Sequence, residues 1–144
     1  MSNFIGVECI RCKRPLADNL ISDGCPYCQK EGYNVNYKTK YDYDELAAMI
    51  KANKWPFVGK GVWKYKQLLP VEDNTSPITL DEGGTPLRQL KKLGKKLGLS
   101  NLYVKDESRN PTWSYKDRLC SVAVTKAVED GAKVVTISST GHHG

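Results

Sequence analysis

The sequence predicts an α/β chain in two parts, a small four-cysteine ribbon and then the beginning of a parallel-sheet domain. Three observations predict it. Cys9-x2-Cys12 and Cys25-x2-Cys28 are separated by 12 residues. Leu87, Leu90, Leu93 and Leu97 recur at helical spacing and are followed by Gly98, a natural helix stop. Residues 101–105, 114–130 and 133–137 then read as strand, helix and strand, the order of one right-handed βαβ unit. The expected boundaries are 1–40 for the ribbon-like module and 41–144 for the second part.

Each cysteine pair places two sulfurs on one tight knuckle, and two knuckles supply the tetrahedral four-thiolate shell of a structural zinc site. Gly24 and Pro26 are suitable turn residues around the second knuckle. Cys9, Cys12, Cys25 and Cys28 are therefore the predicted metal ligands. Disulfide pairing is the competing reading, and a cytoplasmic chain with matched knuckles disfavours it. Four thiolates leave no position for water, so this zinc is expected to be structural. Cys120, the unpaired fifth cysteine, reads as a small buried core residue.

Hydrophobic content of 40% against 26% charged residues describes a globular chain, and no apolar run approaches a bilayer span. Met1 to Ile5 lacks the basic and apolar regions of a secretory signal, so the cytoplasm is the expected location. The net charge is +6, and residues 88–118 account for all of it, with nine Lys/Arg against three Asp/Glu. Lys91, Lys92, Lys95 and Lys96 read as the solvated face of the leucine helix. No aromatic residues interleave with them to stack bases, so nucleic acid is not an expected partner.

Between the two parts, Tyr33, Tyr37, Tyr41 and Tyr43 cover a module with little core of its own. Residues 43–51 read as a short helix with Asp44 as a candidate cap, broken by Trp55-Pro56-Phe57-Val58-Gly59. Residues 61–69 suggest another helical turn ended by Pro70, with Trp63, Tyr65, Leu68 and Leu69 as core candidates. Glu82-Gly83-Gly84-Thr85-Pro86-Leu87 is a turn on composition alone.

The most informative stretch is Asn110-Pro111-Thr112-Trp113-Ser114-Tyr115-Lys116-Asp117-Arg118. Asn110-Pro111 marks a turn. Ser114 can cap the following helix, with Asp117 completing a capping-box-like pair. Lys116 then lies in the first turn, where the helix dipole favours the neutral amine that covalent lysine chemistry needs. Taken alone, Lys116-Asp117-Arg118 reads first as a solvated first turn, and its surroundings decide otherwise.

This stretch resembles the lysine motif of the threonine synthase family, pyridoxal phosphate enzymes of the tryptophan synthase β-subunit type. Three further matches fall in the family's order: Glu82 to Leu87, Tyr103-Val104-Lys105-Asp106-Glu107, and Ser138-Ser139-Thr140-Gly141-His142-His143-Gly144. Trp63-Lys64-Tyr65 with Leu68-Leu69-Pro70 also resembles the family's opening segment, so the likeness runs from about Trp63 to Gly144. It implies a fold-type II pyridoxal-phosphate enzyme domain, of which the chain holds only the beginning. Such a piece, ending before the glycine-rich phosphate loop, is expected to be inactive alone.

The resemblance implies that Lys116 is the catalytic residue, holding pyridoxal 5'-phosphate as a Schiff base. It also implies that Ser139, Thr140, Gly141 and His143 grip the carboxylate of a small amino-acid substrate. His142 stands where the family usually has an asparagine at the cofactor's ring hydroxyl; histidine can donate a similar bond but is bulkier and titrates near neutrality. As a metal site, the adjacent pair His142-His143 lacks a third ligand. The implied reaction converts O-phosphohomoserine and water to threonine and phosphate, with a homodimer open to the full-length protein. A threonine dehydratase or another β-replacement enzyme is the nearest alternative. A non-catalytic zinc-ribbon binding module is the alternative of another class.

Overall fold

The computed structural model describes residues 3–16, 24–52, 54, 58–72, 74–139 and 141. Its first part is a three-stranded antiparallel sheet of β1 (Phe4–Cys9), β2 (Pro15–Leu16) and β3 (Tyr37–Tyr41), in the order β2-β1-β3. Val7 pairs with Leu16 on one side and Thr39 on the other. Directly opposite Glu8 stands Lys38, and the carboxylate reaches its amine at 2.9 Å and that of Lys40 at 3.4 Å. The short helix α1 (Pro26–Gln29) starts on Pro26, which lacks the N–H a first turn leaves idle.

This ribbon has almost no apolar core. Cys9, Cys25 and Cys28 form its buried centre, and only Leu16, Val35 and Tyr37, with Cys12, pack against them. A small sheet with so little apolar area to bury needs another source of stability.

Asp42, not Asp44, caps α2 (Tyr43–Lys51), accepting from the Glu45 N–H at 2.9 Å. The Asp42 N–H in turn donates to the Asn3 carbonyl at 2.8 Å, tying this helix to the ribbon. Residues Val62–Leu68 form the expected helical segment, as a 3-10 helix. Trp63 and Leu68 are half-buried there and Tyr65 is exposed, whereas the neighbouring Val71 is buried.

The leucine helix is shorter than its spacing suggests. Leu87–Gln89 is β4, and only Lys91–Leu97 is helical, as α3. Gly98 ends it in the left-handed conformation, as expected. Pro86 supplies no N–H, yet its carbonyl accepts from the Asp106 N–H at 2.9 Å, which pulls the next residues alongside the β5 strand (Tyr103–Lys105). β4 and β5 pair antiparallel, Arg88 opposite Val104. All four lysines of α3 are exposed.

The expected parallel βαβ unit is not formed among the described residues. β5 pairs with β4, and residues 133–137 are exposed and form no strand. A parallel pair must be covered on both faces, and no further strand or helix here covers one.

Helix α4 (Lys116–Glu129) is present and buries a polar face. Asp117, Ser121 and Thr125, spaced four apart, are its buried positions, while Leu119 is 56% exposed. The reason is the irregular segment 77–82 lying along it. Ile78 donates its N–H to Thr125 Oγ1 at 2.9 Å, and its carbonyl accepts from Ser121 Oγ at 3.1 Å. Trp63 Nε1 donates to the same Ser121 hydroxyl at 2.9 Å. Backbone without a ladder needs side-chain partners, so the helix turns its hydroxyls inward.

Candidate functional site

The four cysteines converge. Cys9 ends β1, Cys12 lies on the following knuckle, Cys25 immediately precedes α1 and Cys28 lies within it. All four sulfurs lie within 4.8 Å of one another, and Cys9–Cys28 and Cys12–Cys25 are each 3.7 Å apart. A tetrahedral shell with bonds of about 2.3 Å sets its sulfurs about 3.8 Å apart. A disulfide would bring them to about 2.0 Å, and none of the five cysteines forms one.

The surroundings act on the Cys9 and Cys28 thiols in opposite senses. Burial raises the Cys9 thiol, but the amides of Cys12 and Arg11, each 3.4 Å from its sulfur, bring it down to about 6. Burial pushes Cys28 up to about 11, opposed by the Arg11 guanidinium 3.7 Å away. That guanidinium also holds Glu31 at 2.6 Å. The group can hold a metal ion.

Asn110 joins the second site together. It is 2% exposed. Its Oδ1 accepts from the Gly83 N–H, and its Nδ2 donates to the carbonyl and Oε2 of Glu107, each at 2.9 Å. The glycine turn is thereby bound to the lysine segment across 27 residues of sequence. Trp113 N–H donates to the Asn110 carbonyl at 2.9 Å, and Trp113 itself is 82% exposed at φ 60°. That conformation costs a bulky side chain about 1–3 kcal/mol, which the surrounding bonds must offset.

The capping pattern is only half realised. Ser114 Oγ accepts from the Lys116 N–H at 3.2 Å, but the Asp117 carboxylate turns to the amide (2.8 Å) and hydroxyl of Thr112. Ser114 and Asp117 are both buried. Lys116 is half-buried and lines a cleft of about 390 Å³ with Ile78, Leu80, Glu82, Cys120 and Val124. Cys120 is thus a half-buried wall of this cleft, not a core residue.

Arg118 was not singled out by sequence reasoning, although it stands in the same motif. Its Nε and Nη2 fork onto Glu107 at 2.9 and 3.0 Å, and Nη2 also donates to Thr85 Oγ1 at 3.1 Å. Thr85 Oγ1 donates to Glu107 at 2.6 Å, and the Lys105 amine donates to the Thr85 carbonyl. Three motifs separated in sequence meet on one carboxylate. The signal was their acidic and basic residues, which pair only once the turn brings them together.

The Arg118 guanidinium is the main reason that the Glu107 carboxyl is held at about 2, helped by Thr85 and Asn110 and opposed by desolvation. The folded-state value lies below the ordinary 4.5, so this stabilisation is complete above that pH and is lost as pH falls from there toward 2. Thermal unfolding of α4 should therefore move down over that window. Glu107→Gln should flatten the dependence and cost about 1–2 kcal/mol at neutral pH, the network being partly exposed.

The described residues of the Ser138 loop are not brought to the cleft. Ser139 and Gly141 are exposed, closing a small turn in which the Gly141 N–H donates to Ser139 Oγ at 3.0 Å, and neither lines the Lys116 cleft. Thr140, His142 and His143 lie outside the described residues. No helix among the described residues is long and apolar enough to cross a membrane.

Comparison with known proteins adds the following. The family model described as "Pyridoxal-phosphate dependent enzyme" matches residues 78–144. A threonine synthase of Methanocaldococcus jannaschii is 46% identical over 102 residues, 71% of this chain and 25% of the relative. One of Methanosarcina acetivorans is 40% identical over 136 residues, 94% of this chain and 31% of the relative. One of Mycobacterium tuberculosis is 43% identical over 88 residues, 61% of this chain and 23% of the relative. The chain thus spans between a quarter and a third of the first two relatives. No solved structure matches. With the lysine motif, the glycine turn and these relatives in agreement, the chain belongs to the threonine synthase family of pyridoxal-phosphate dependent enzymes.

Proposed function

We propose that this chain supplies the cofactor-holding lysine and a structural zinc ribbon to a threonine synthase, which converts O-phosphohomoserine and water to threonine and phosphate. The observation that carries the reading is Lys116, half-buried at the start of α4 on the wall of a cleft, inside a motif that the family model covers.

The residues present fit one end of pyridoxal 5'-phosphate. Ile78, Leu80 and Val124 give the cleft apolar walls suited to a flat ring, and Lys116 gives it an amine. When bound, the cofactor supplies an electron sink for a substrate carbanion. Lys116 would hold the cofactor through its amine, and its free amine would move protons at the substrate carbons. Glu107, Arg118, Thr85 and Asn110 fix the turn from which α4 starts, so the lysine is presented from rigid backbone.

Ser139, Thr140, Gly141 and His143 are the proposed grip on the substrate carboxylate, and His142 the proposed partner of the cofactor's ring hydroxyl. Both roles require the loop after residue 137 to close over the cleft. Zinc is the proposed occupant of the cysteine shell, because four thiolates at tetrahedral spacing favour it. The substrate is a small amino acid, nucleic acid is not a proposed partner, and the cytoplasm is the proposed location. A homodimer is proposed for the full-length protein.

The deciding experiment grafts this chain in place of the matching segment of the Methanosarcina acetivorans threonine synthase. With pyridoxal phosphate and O-phosphohomoserine, the hybrid should release phosphate and threonine in equal amounts. Elimination to a keto acid without threonine would reassign the chemistry to a dehydratase.

A further inference from the structure

Four thiolates around a divalent cation leave two negative charges uncompensated. In the ribbon that excess falls on buried atoms, since Cys9, Cys25 and Cys28 are all shut off from solvent. Buried charge is costly unless a hydrogen-bond donor or a group of opposite sign reaches it. Arg11, lying between the first two cysteines, supplies both.

Its backbone N–H donates to Cys9 Sγ at 3.4 Å, beside the Cys12 N–H at the same distance. Its guanidinium crosses to the second knuckle, where Nη1 donates to Cys28 Sγ at 3.7 Å. One residue thereby touches one cysteine of each pair, the two whose sulfurs lie 3.7 Å apart. Nη1 carries two hydrogens, so it serves Cys28 and the Glu31 Oε2, 2.6 Å away, together. The guanidinium carbon lies 4.0 Å from the centroid of the Tyr33 ring. Ring and carboxylate fix the plane of the guanidinium, and that plane aims its N–H at the sulfur. The other cations of the first knuckle are directed elsewhere. The Lys13 amine donates to the Ile10 carbonyl at 2.8 Å, and the Arg14 guanidinium lies over the Tyr27 ring.

We propose that Arg11 is a positioning residue of the cysteine shell: its guanidinium offsets negative charge at Cys28 and ties the two knuckles together, so that the shell holds its metal more tightly than four thiolates would unaided. The contacts belong to this chain, while their consequence for the metal rests on the reading of the shell as a zinc site. An exposed pair with Glu31 would by itself contribute little. The approach to sulfur is what gives the arrangement a function.

The test is the zinc affinity of the 144-residue chain, measured by competition with a chromophoric chelator. Arg11→Met keeps the length of the side chain without its charge or donors. It should bind zinc about tenfold more weakly, the lower end of what losing a partner of a metal ligand costs. Glu31→Gln leaves the guanidinium in place and should cost clearly less. Equal losses in the two variants would reduce Arg11 to half of a surface ion pair and overturn the proposal.

A second readout is confined to one sulfur. In the zinc-loaded chain, Arg11→Met should raise the rate of iodoacetamide alkylation at Cys28 relative to Cys25, because the Cys28 thiolate loses its charged donor. A merely loosened ribbon would expose all four cysteines together, so an unchanged ratio overturns the proposal. Should Arg11→Met not fold, Arg11→Lys is scored in its place. It keeps a charge within reach of the sulfur and should fold and bind zinc; failure of both variants alike overturns the role of the charge. An unmutated chain that takes up no zinc would remove the zinc reading and this proposal with it. Normal uptake with undiminished affinity in Arg11→Met overturns this proposal alone.

Discussion

Replacing Lys116 by alanine should abolish covalent capture of pyridoxal phosphate. In the unmutated chain, borohydride reduction should leave the cofactor fixed to the peptide containing Lys116; in Lys116→Ala that peptide should be unlabelled. The loss is expected to be all-or-none, because a covalent link to an amine has no weaker substitute. The fold should survive. The Lys116 backbone N–H keeps its bond to Ser114 Oγ whatever the side chain, and alanine is a better helix former than lysine. Lys116→Arg should fail equally, since a guanidinium stays protonated and cannot act as the nucleophile. Equal labelling of Lys116→Ala, with cofactor fixed on Lys105 or Lys64 instead, would sink the assignment.

The second large effect lies in the ribbon. Its centre is made of cysteines, with three further apolar side chains around them, so the proposed metal binding and folding there would be one process. Structural zinc in such peptides contributes about 10–16 kcal/mol of apparent binding free energy, far more than the few buried apolar groups of this sheet can supply. Cys12→Ser, or a strong chelator, should therefore collapse the amide exchange protection of Phe4–Cys9 and Tyr37–Tyr41. Helix α4 should keep its own protection, because its partners lie in residues 62–82 and not in the ribbon. A Cys12→Ser chain that still binds one equivalent of zinc by elemental analysis would overturn the four-cysteine shell.

The two predictions draw on features that were unequally legible in the sequence. A metal shell of cysteine knuckles is encoded by local spacing, because each pair of ligands lies on one tight turn; the four sulfurs then needed only one antiparallel sheet to meet. The stop at Gly98 was likewise a local matter of backbone freedom, whereas α4 begins after Tyr115 without a side-chain cap. Periodicity failed where pairing outcompeted it. Leu87 has the spacing of a helical residue, yet it lies opposite Lys105 in a strand. In α4, Leu119 and Ala123 are exposed, and Asp117, Ser121 and Thr125 are buried. Pattern reading assigns the buried face by hydrophobicity, but here the neighbouring segment had backbone groups to satisfy.

The sequence by itself determined where the candidate chemistry lies: four cysteines on two knuckles, and one lysine between a turn and a helix. Each is a short-range arrangement, and short-range geometry follows from the chain's own dihedral preferences. Only the tertiary structure decided how those residues are supported. Glu107, Thr85, Asn110 and Arg118 come from three separate motifs, and Glu82 reaches the Lys116 cleft from 34 residues upstream. A hydrogen bond has a reach of about 3 Å and no memory of sequence distance, so these contacts exist only once the chain has closed its turns.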